Sequence, residues 1–302
     1  MSSPADPLWP RASAWLAASA PQARLAVLGV PLSRTSISPS GAHTTPAALR
    51  AALARYPTFH AGLGVDLPPV RDLGDLDVAG HDGEQALTID LSDLDADLLV
   101  LLGGDNALTR PAMRSRLPLP SSGLLTLDAH HDVRATHAGW TNGTPVRGLL
   151  TDGLPGAHVV QVGIGDLTNS RAYREFCDRE GIRVVGMSAA RPTGEVVRSA
   201  LDQLAATCTD LYVDLDVDVV DRTFVPGCPG ARPGGLYPAD LLAAAVEAGR
   251  HPRVRIVDVV EVDATADPTG VTVDLAAMCL LSVAAGFALR PAAGGDAERA
   301  TS

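Results

Sequence analysis

Eight short apolar runs bounded by turn residues, with helix-period stretches between them, constrain the fold of this chain more than any other feature. They are Leu25–Val30, Val70–Leu73, Leu98–Leu102, Gly123–Leu127, Val159–Ile164, Ile182–Val185, Leu211–Asp216 and Arg255–Val260. Amphipathic stretches such as Pro46–Arg55, Ser170–Glu180, Val196–Thr207 and Pro238–Gly249 lie between them. Strands alternating with helices predict an α/β fold with a mostly parallel sheet of about eight strands, covered by helices on both faces. The runs are almost continuously apolar, as strands buried on both sides require. The 302 residues can fill one large core, and neither a repeat nor a linker divides them. A single domain is expected, with frayed tails at residues 1–20 and 291–302.

In such a sheet, ligands gather at the carboxyl ends of the strands. Four runs end in polar clusters: Gly103-Gly104-Asp105-Asn106, Asp128–Asp132, Asp216–Asp221 and Glu261-Val262-Asp263. The net charge of −11 argues against a nucleic-acid partner, which would need a basic face. All 24 basic residues are arginine. The plain reading is codon bias, but the lack of lysine excludes Schiff-base and Walker-lysine chemistry. The four cysteines, Cys177, Cys208, Cys228 and Cys279, have neither metal-ligand spacing nor a disulfide framework. No uninterrupted apolar stretch approaches the roughly 18 residues of a membrane span, and Leu98–Gly104 is strand-sized. Met1–Ala20 does not read as a signal peptide, so a cytoplasmic enzyme acting on a small molecule is expected.

Asp128, His130 and Asp132 alternate where an apolar strand runs out. Period-2 geometry is expected to turn all three side chains to one side. Two carboxylates and an imidazole suit Mn²⁺, Zn²⁺ or Fe²⁺, whereas a solvated loop with capping acids is the plain alternative. A second row, Asp214, Asp216 and Asp218, alternates on an otherwise apolar run. Three carboxylates on one face repel one another unless cations neutralise them. An EF-hand loop would need a glycine and a distal glutamate between two helices, and that arrangement is missing. Two divalent ions sharing carboxylates acidify the water between them, so no serine or cysteine nucleophile is required. None is evident, since Gly-x-Ser-x-Gly does not occur.

In chain order the motifs are Pro39-Ser-Gly41-Ala, Asp72-Leu-Gly74-Asp75, Gly103-Gly-Asp105, Asp128-Ala-His130-x-Asp132, Asn142-Gly-Thr-Pro145, the acids at 216, 218 and 221 with Phe224-x-Pro226-Gly227, and Glu261-Val. Together they resemble those of the ureohydrolase family of arginases, agmatinases and formimidoylglutamases. The resemblance implies a three-layer α/β/α arginase-like fold, two Mn²⁺ per subunit and a homo-oligomer. It further implies that Asp128 and Asp216 bridge the ions, that His130 and Asp218 complete one, and that Asp132 binds the other and relays a proton. Glu261 matches the acid that meets the amidine or guanidine end of the substrate.

Three positions depart from the commonest family pattern. Asn106 stands where a metal-binding histidine is usual, and is expected to ligate weakly or through water. Asn142 replaces a proton-shuttling histidine and joins the substrate-binding candidates. Asp214 replaces a serine. His137 is a candidate replacement shuttle, or else a solvent-facing loop residue. His43 is equally open, and Cys228 reads as a packed turn residue. Asp128-Ala-His-His-Asp-Val-Arg134, Thr141-Asn-Gly-Thr-Pro-Val-Arg147 and Phe224-Val-Pro-Gly-Cys-Pro229 look most like the formimidoylglutamase branch. That branch hydrolyses N-formimidoyl-L-glutamate to glutamate and formamide in histidine degradation. Arg134 and Arg147 then become candidates for holding the two substrate carboxylates. The rival readings are an agmatinase- or arginase-type guanidino hydrolase and a metal-poor, non-catalytic relative, the latter favoured by Asn106.

Overall fold

The structure is a computed structural model and describes residues 6–78 and 90–291. Its centre is an eight-stranded sheet of β1 (Leu25–Val30), β4 (Val70–Asp75), β5 (Leu98–Gly103), β6 (Ser122–Leu127), β7 (Val159–Ile164), β8 (Arg183–Gly186), β9 (Asp210–Asp216) and β10 (Val254–Val260). The spatial order is β4-β1-β5-β10-β9-β6-β7-β8, and every pairing is parallel. All eight expected strands are present. Every residue of β1, β5, β6 and β7 is buried, whereas the edge strands β4 and β8 are mostly part-exposed. Continuous apolar sequence therefore marks the middle of the sheet, where both faces are covered.

Helices cover both faces. On one side lie α1 (Ala12–Ala17), α2 (Thr45–Ala52), α6 (Thr193–Ala205), α7 (Pro238–Arg250) and α8 (Val271–Ala288). On the other lie α3 (Thr109–Arg116), α4 (Pro145–Thr151) and α5 (Arg171–Glu180). The result is the expected three-layer α/β/α arrangement. A short antiparallel pair, β2 (Phe59–His60) with β3 (Val65–Asp66), lies outside the sheet and has no counterpart in the sequence reading. Two residues per strand are too few to carry a periodic signal.

Two expectations need correction. The leading segment is not frayed throughout, because α1 buries Ala12 and Leu16, and the Trp15 indole donates to the carbonyl of Pro68 at 2.6 Å. Residues 1–5 and 292–302 lie outside the described residues. The longest apolar segment is α8 rather than Leu98–Gly104. By length and composition its 18 residues could cross a membrane, but 67% of it is buried inside the protein. It is a core helix that crosses α7 at close range. A Cβ on Gly286 would fall 2.1 Å from the Val246 carbonyl oxygen, and one on Gly249 would fall 2.0 Å from that of Val283. Only glycine permits that approach.

The four strands with polar carboxyl ends, β5, β10, β9 and β6, are adjacent in the middle of the sheet. Parallel pairing brings all four ends to one edge, and the site is built there.

Candidate active site

Strand β6 stops at Leu127, and the turn after it, rather than a continued pleat, gathers the next acids. Asp132 sits at φ +52°, so the alternation expected across residues 128–132 is not strand geometry. Asp128 accepts the backbone N–H of His130 at 2.6 Å. The His130 Nδ1 lies 2.7 Å from Asp218 Oδ2 and 3.4 Å from Asp128 Oδ1. Asp218 belongs to the 3₁₀ turn Val217–Val219, whose entry is fixed by its own N–H donating to Asp216 at 2.8 Å. Ligand atoms of Asp128, His130 and Asp218 lie within 4.8 Å of one another, a spacing able to hold a metal ion.

The other half of the floor centres on Asn106, which opens the 3₁₀ turn Asn106–Leu108 after β5. Its amide nitrogen is 2.9 Å from Asp132 Oδ2 and 3.3 Å from Asp216 Oδ2. The amide oxygen is 2.7 Å from the Thr109 hydroxyl, which is also 2.7 Å from Asp258 Oδ2. Thr109 has one proton and donates to only one of these oxygens. With that proton on Asp258, Thr109 can instead accept from the Asn106 amide. The turned amide would add its oxygen to those of Asp132 and Asp216, a donor set that only a cation would reconcile.

Below this floor, Thr126, Asp214 and Asp258 are in register across β6, β9 and β10. Asp258 also accepts the buried Tyr212 hydroxyl at 2.6 Å. The Asp214 side chain is thus committed to a polar layer beneath Asp216 as well as to the acid row.

Glu261 follows β10 with φ +66°. Its Oε1 accepts the Asn106 N–H at 2.8 Å and the Asn142 amide at 2.9 Å, while Asn142 Oδ1 accepts the N–H of Ile37 at 2.9 Å. Of the four non-glycine residues with positive φ among the described residues, two, Asp132 and Glu261, lie in this site. Such strain persists where the surroundings over-determine it.

The charges of the two halves differ. Burial and the neighbouring Asp218 push the Asp128 carboxyl up to about 7. Burial, then the charges of Asp128 and Asp218 respectively, hold Asp132 and Asp216 well above the usual carboxylate range. Burial lowers the His130 imidazole, but the Asp218 charge and hydrogen bonds to Asp128 and Asp218 outweigh it and push it up to about 12. Burial likewise raises Asp218, and the His130 charge more than reverses it. A protonated imidazole is the cation on one side, and the other side has an uncharged amide.

Above the floor is a cavity of about 310 Å³. It is lined by buried Asp216, Asp218 and Glu261, by half-buried Asp132, His130, Asn142 and Tyr173, and by exposed Arg134 and Arg232. Several sequence candidates fall elsewhere. Arg147 stacks on Phe176, with its guanidinium carbon 3.9 Å from the ring centroid, and its Nε donates to the Val133 carbonyl at 2.8 Å. It is not among the residues lining the cavity, and neither is His137, exposed on the turn Thr136–Ala138. His43 pairs with Ser33 at 2.9 Å beside a separate cavity. Cys228 is fully buried, and burial raises its thiol well above the ordinary value. Sequence reasoning missed Arg232 and the layer of Thr109, Tyr212 and Asp258. Only the position of Arg232, in a Gly/Pro-rich loop directly after the acid row, could have flagged it.

Residues 23–286 match the model of the Arginase family. This chain belongs to that family. It is 34% identical to the formimidoylglutamase of Bacillus subtilis over 280 residues, covering 88% of each chain. The crystal structure of that protein superposes with a TM-score of 0.86 at 32% identity, covering 96% of this chain and 95% of the other. Proclavaminate amidinohydrolase of Streptomyces clavuligerus is 30% identical, covering 83% of each chain. Formiminoglutamase of Trypanosoma cruzi, solved with Mn²⁺, has the same fold at a TM-score of 0.81 and 23% identity, covering 94% of this chain and all of that one.

Proposed function

We propose that this family member hydrolyses the amidine C–N bond of N-formimidoyl-L-glutamate, releasing L-glutamate and formamide, with two Mn²⁺ ions at the acid floor. The observation that carries the reading is a cavity lined by buried acids and by two exposed arginines, in a chain 34% identical to a formimidoylglutamase. A planar cationic N–C–N group fits the acids, and carboxylates fit the arginines. The Bacillus subtilis likeness favours a formimidoyl substrate over a guanidino one.

The donor set fits the metals. Carboxylates and an imidazole suit Mn²⁺, and five buried or half-buried acids in one patch need positive charge. Asp128, His130 and Asp218 would hold one ion, and Asp132, Asp216 and the Asn106 amide oxygen the other, with Asp128 and Asp216 between them. The ions supply Lewis-acid activation of water and of the amidine. Asn106 and Asn142 fix Oε1 of Glu261, which leaves Oε2 to accept an amidine N–H and orient the substrate. Asp132 lines the cavity beside the acid floor, which places it to take a proton from the attacking water and return it to the departing nitrogen. Asn142 has no titratable group and acts by positioning Glu261. As a family member the chain is expected to form a homo-oligomer.

The test is a substrate panel after Mn²⁺ loading. Formamide and glutamate should appear from formimidoylglutamate, with turnover from agmatine, arginine and guanidino acids far lower. Urea from a guanidino compound at the higher kcat/KM would overturn the assignment.

A further inference from the structure

The loop from Asp221 to Gly235 is tied to the acid floor. Gly230 lies so close to Asp218 that a Cβ there would fall 2.3 Å from Oδ2. Asp221 closes the loop base by accepting the N–H groups of Thr223 at 2.8 Å and Gly234 at 2.6 Å. Arg222 donates across it to the Cys228 and Pro229 carbonyls, at 3.1 and 3.3 Å. Two residues beyond Gly230, Arg232 reaches the cavity wall.

One end of the Arg232 guanidinium is occupied. Its Nη1 donates to the carbonyls of Pro229, Gly230 and Ala231 at 3.1, 2.8 and 3.0 Å. No protein partner engages Nε or Nη2 among the described residues. Those two nitrogens form the edge that grips a carboxylate with two parallel hydrogen bonds. Arg134 stands on the cavity wall as well, beside Gly143, and its guanidinium has no ion-pair partner among the described residues. Among the described residues neither arginine pairs with an acidic side chain, and both line the cavity that the acid floor also lines.

We propose that Arg232 binds a substrate carboxylate through its Nε–Nη2 edge, and that Arg134 and Arg232, rather than Arg134 and Arg147, recognise the two carboxylates of a dicarboxylic amidine. The identity of the amidine rests on the function proposed above, but carboxylate recognition does not. Fixing Nη1 on the loop carbonyls holds the guanidinium plane before the ligand arrives, which lowers the entropic cost of binding.

The test separates the two readings. L-Glutamate binding to the Mn²⁺-loaded protein is measured by calorimetry for the wild type, R232Q, R134Q and the surface control R198Q, and turnover of formimidoylglutamate is measured separately. Loss of a charge-assisted bidentate contact should raise the glutamate Kd about 10- to 100-fold in R232Q and in R134Q. R198Q should match the wild type, and the melting temperature of R232Q should stay near it. In turnover, R232Q should raise KM while kcat changes little, a split that general loop damage would not give. Glutamate binding that depends on Arg232 in a protein unable to hydrolyse formimidoylglutamate would sink the substrate assignment and uphold this one. Glutamate binding unchanged in R232Q, or undetectable in the wild type, would overturn the proposal.

Discussion

The two halves of the acid floor are each built from a pair of aspartates but are balanced differently. On one side, His130 sits between Asp128 and Asp218 and supplies a positive charge even without metal. On the other, Asn106 meets Asp132 and Asp216 with a neutral amide, and those carboxyls accept protons instead. An imidazole nitrogen is a stronger ligand for a divalent ion than an amide oxygen. The difference teaches that one ion should be held firmly and the other loosely, with the loose side next to Glu261. Glu261 and Asn106 are joined by a 2.8 Å hydrogen bond, so the weaker ligand also helps orient the proposed substrate-binding acid.

The largest effect should come from breaking both halves together. Asp216 reaches toward both sides, by the Asp218 N–H at 2.8 Å and by the Asn106 amide at 3.3 Å. D216A should abolish uptake of both ions, read by elemental analysis, and lower kcat/KM by about a thousandfold or more. Retained metal and activity would refute a shared floor. A smaller effect should come from levelling the comparison. N106H supplies the missing imidazole and should tighten the loose ion about 10- to 100-fold in a Mn²⁺ titration, leaving the firm ion unchanged. Equal tightening of both would mean that the halves are not separate.

The smallest effect is on stability without metal. Asp128, Asp132 and Asp216 have folded-state pKa values raised above the unfolded carboxylate value of about 4. Their protonated forms are favoured by folding, so their contribution is full below about pH 4 and declines as pH rises, that of Asp128 being lost through about 7. The metal-free protein should therefore melt at falling temperature across that window. Saturating Mn²⁺ should flatten the slope, because the ions replace the protons. A metal-free Tm rising from pH 4 to 7 would contradict the proton placement.

Much of this was legible in the sequence, for a physical reason. Strands such as β5 and β7 are apolar at every position because both faces are covered, so they stand out from any background. Acids directly after such strands mark the sheet edge where ligands bind, which is why Asp128, Asp216 and Glu261 could be named in advance. The turn geometry was not legible. Nothing in Asp128–Asp132 announces that Asp132 leaves the pleat at φ +52°. Arginine roles were illegible too, because the guanidinium reaches far from its backbone. Arg147 follows a motif that suggests substrate contact, yet it spends its charge on Phe176 and a carbonyl, while Arg232 reaches the cavity from a loop with no periodic signal. The polar layer of Thr109, Tyr212 and Asp258 depends on registry among non-adjacent segments, which no local pattern encodes.

The most direct test of the two-sided floor is a stepwise Mn²⁺ titration of the metal-free wild-type chain, with bound ion counted by equilibrium dialysis and the coupled pair followed by electron paramagnetic resonance. The account predicts two ions per chain with dissociation constants at least about tenfold apart, and spin coupling that appears only as the second ion binds. Two ions of equal affinity, or a single ion at saturation, would contradict it.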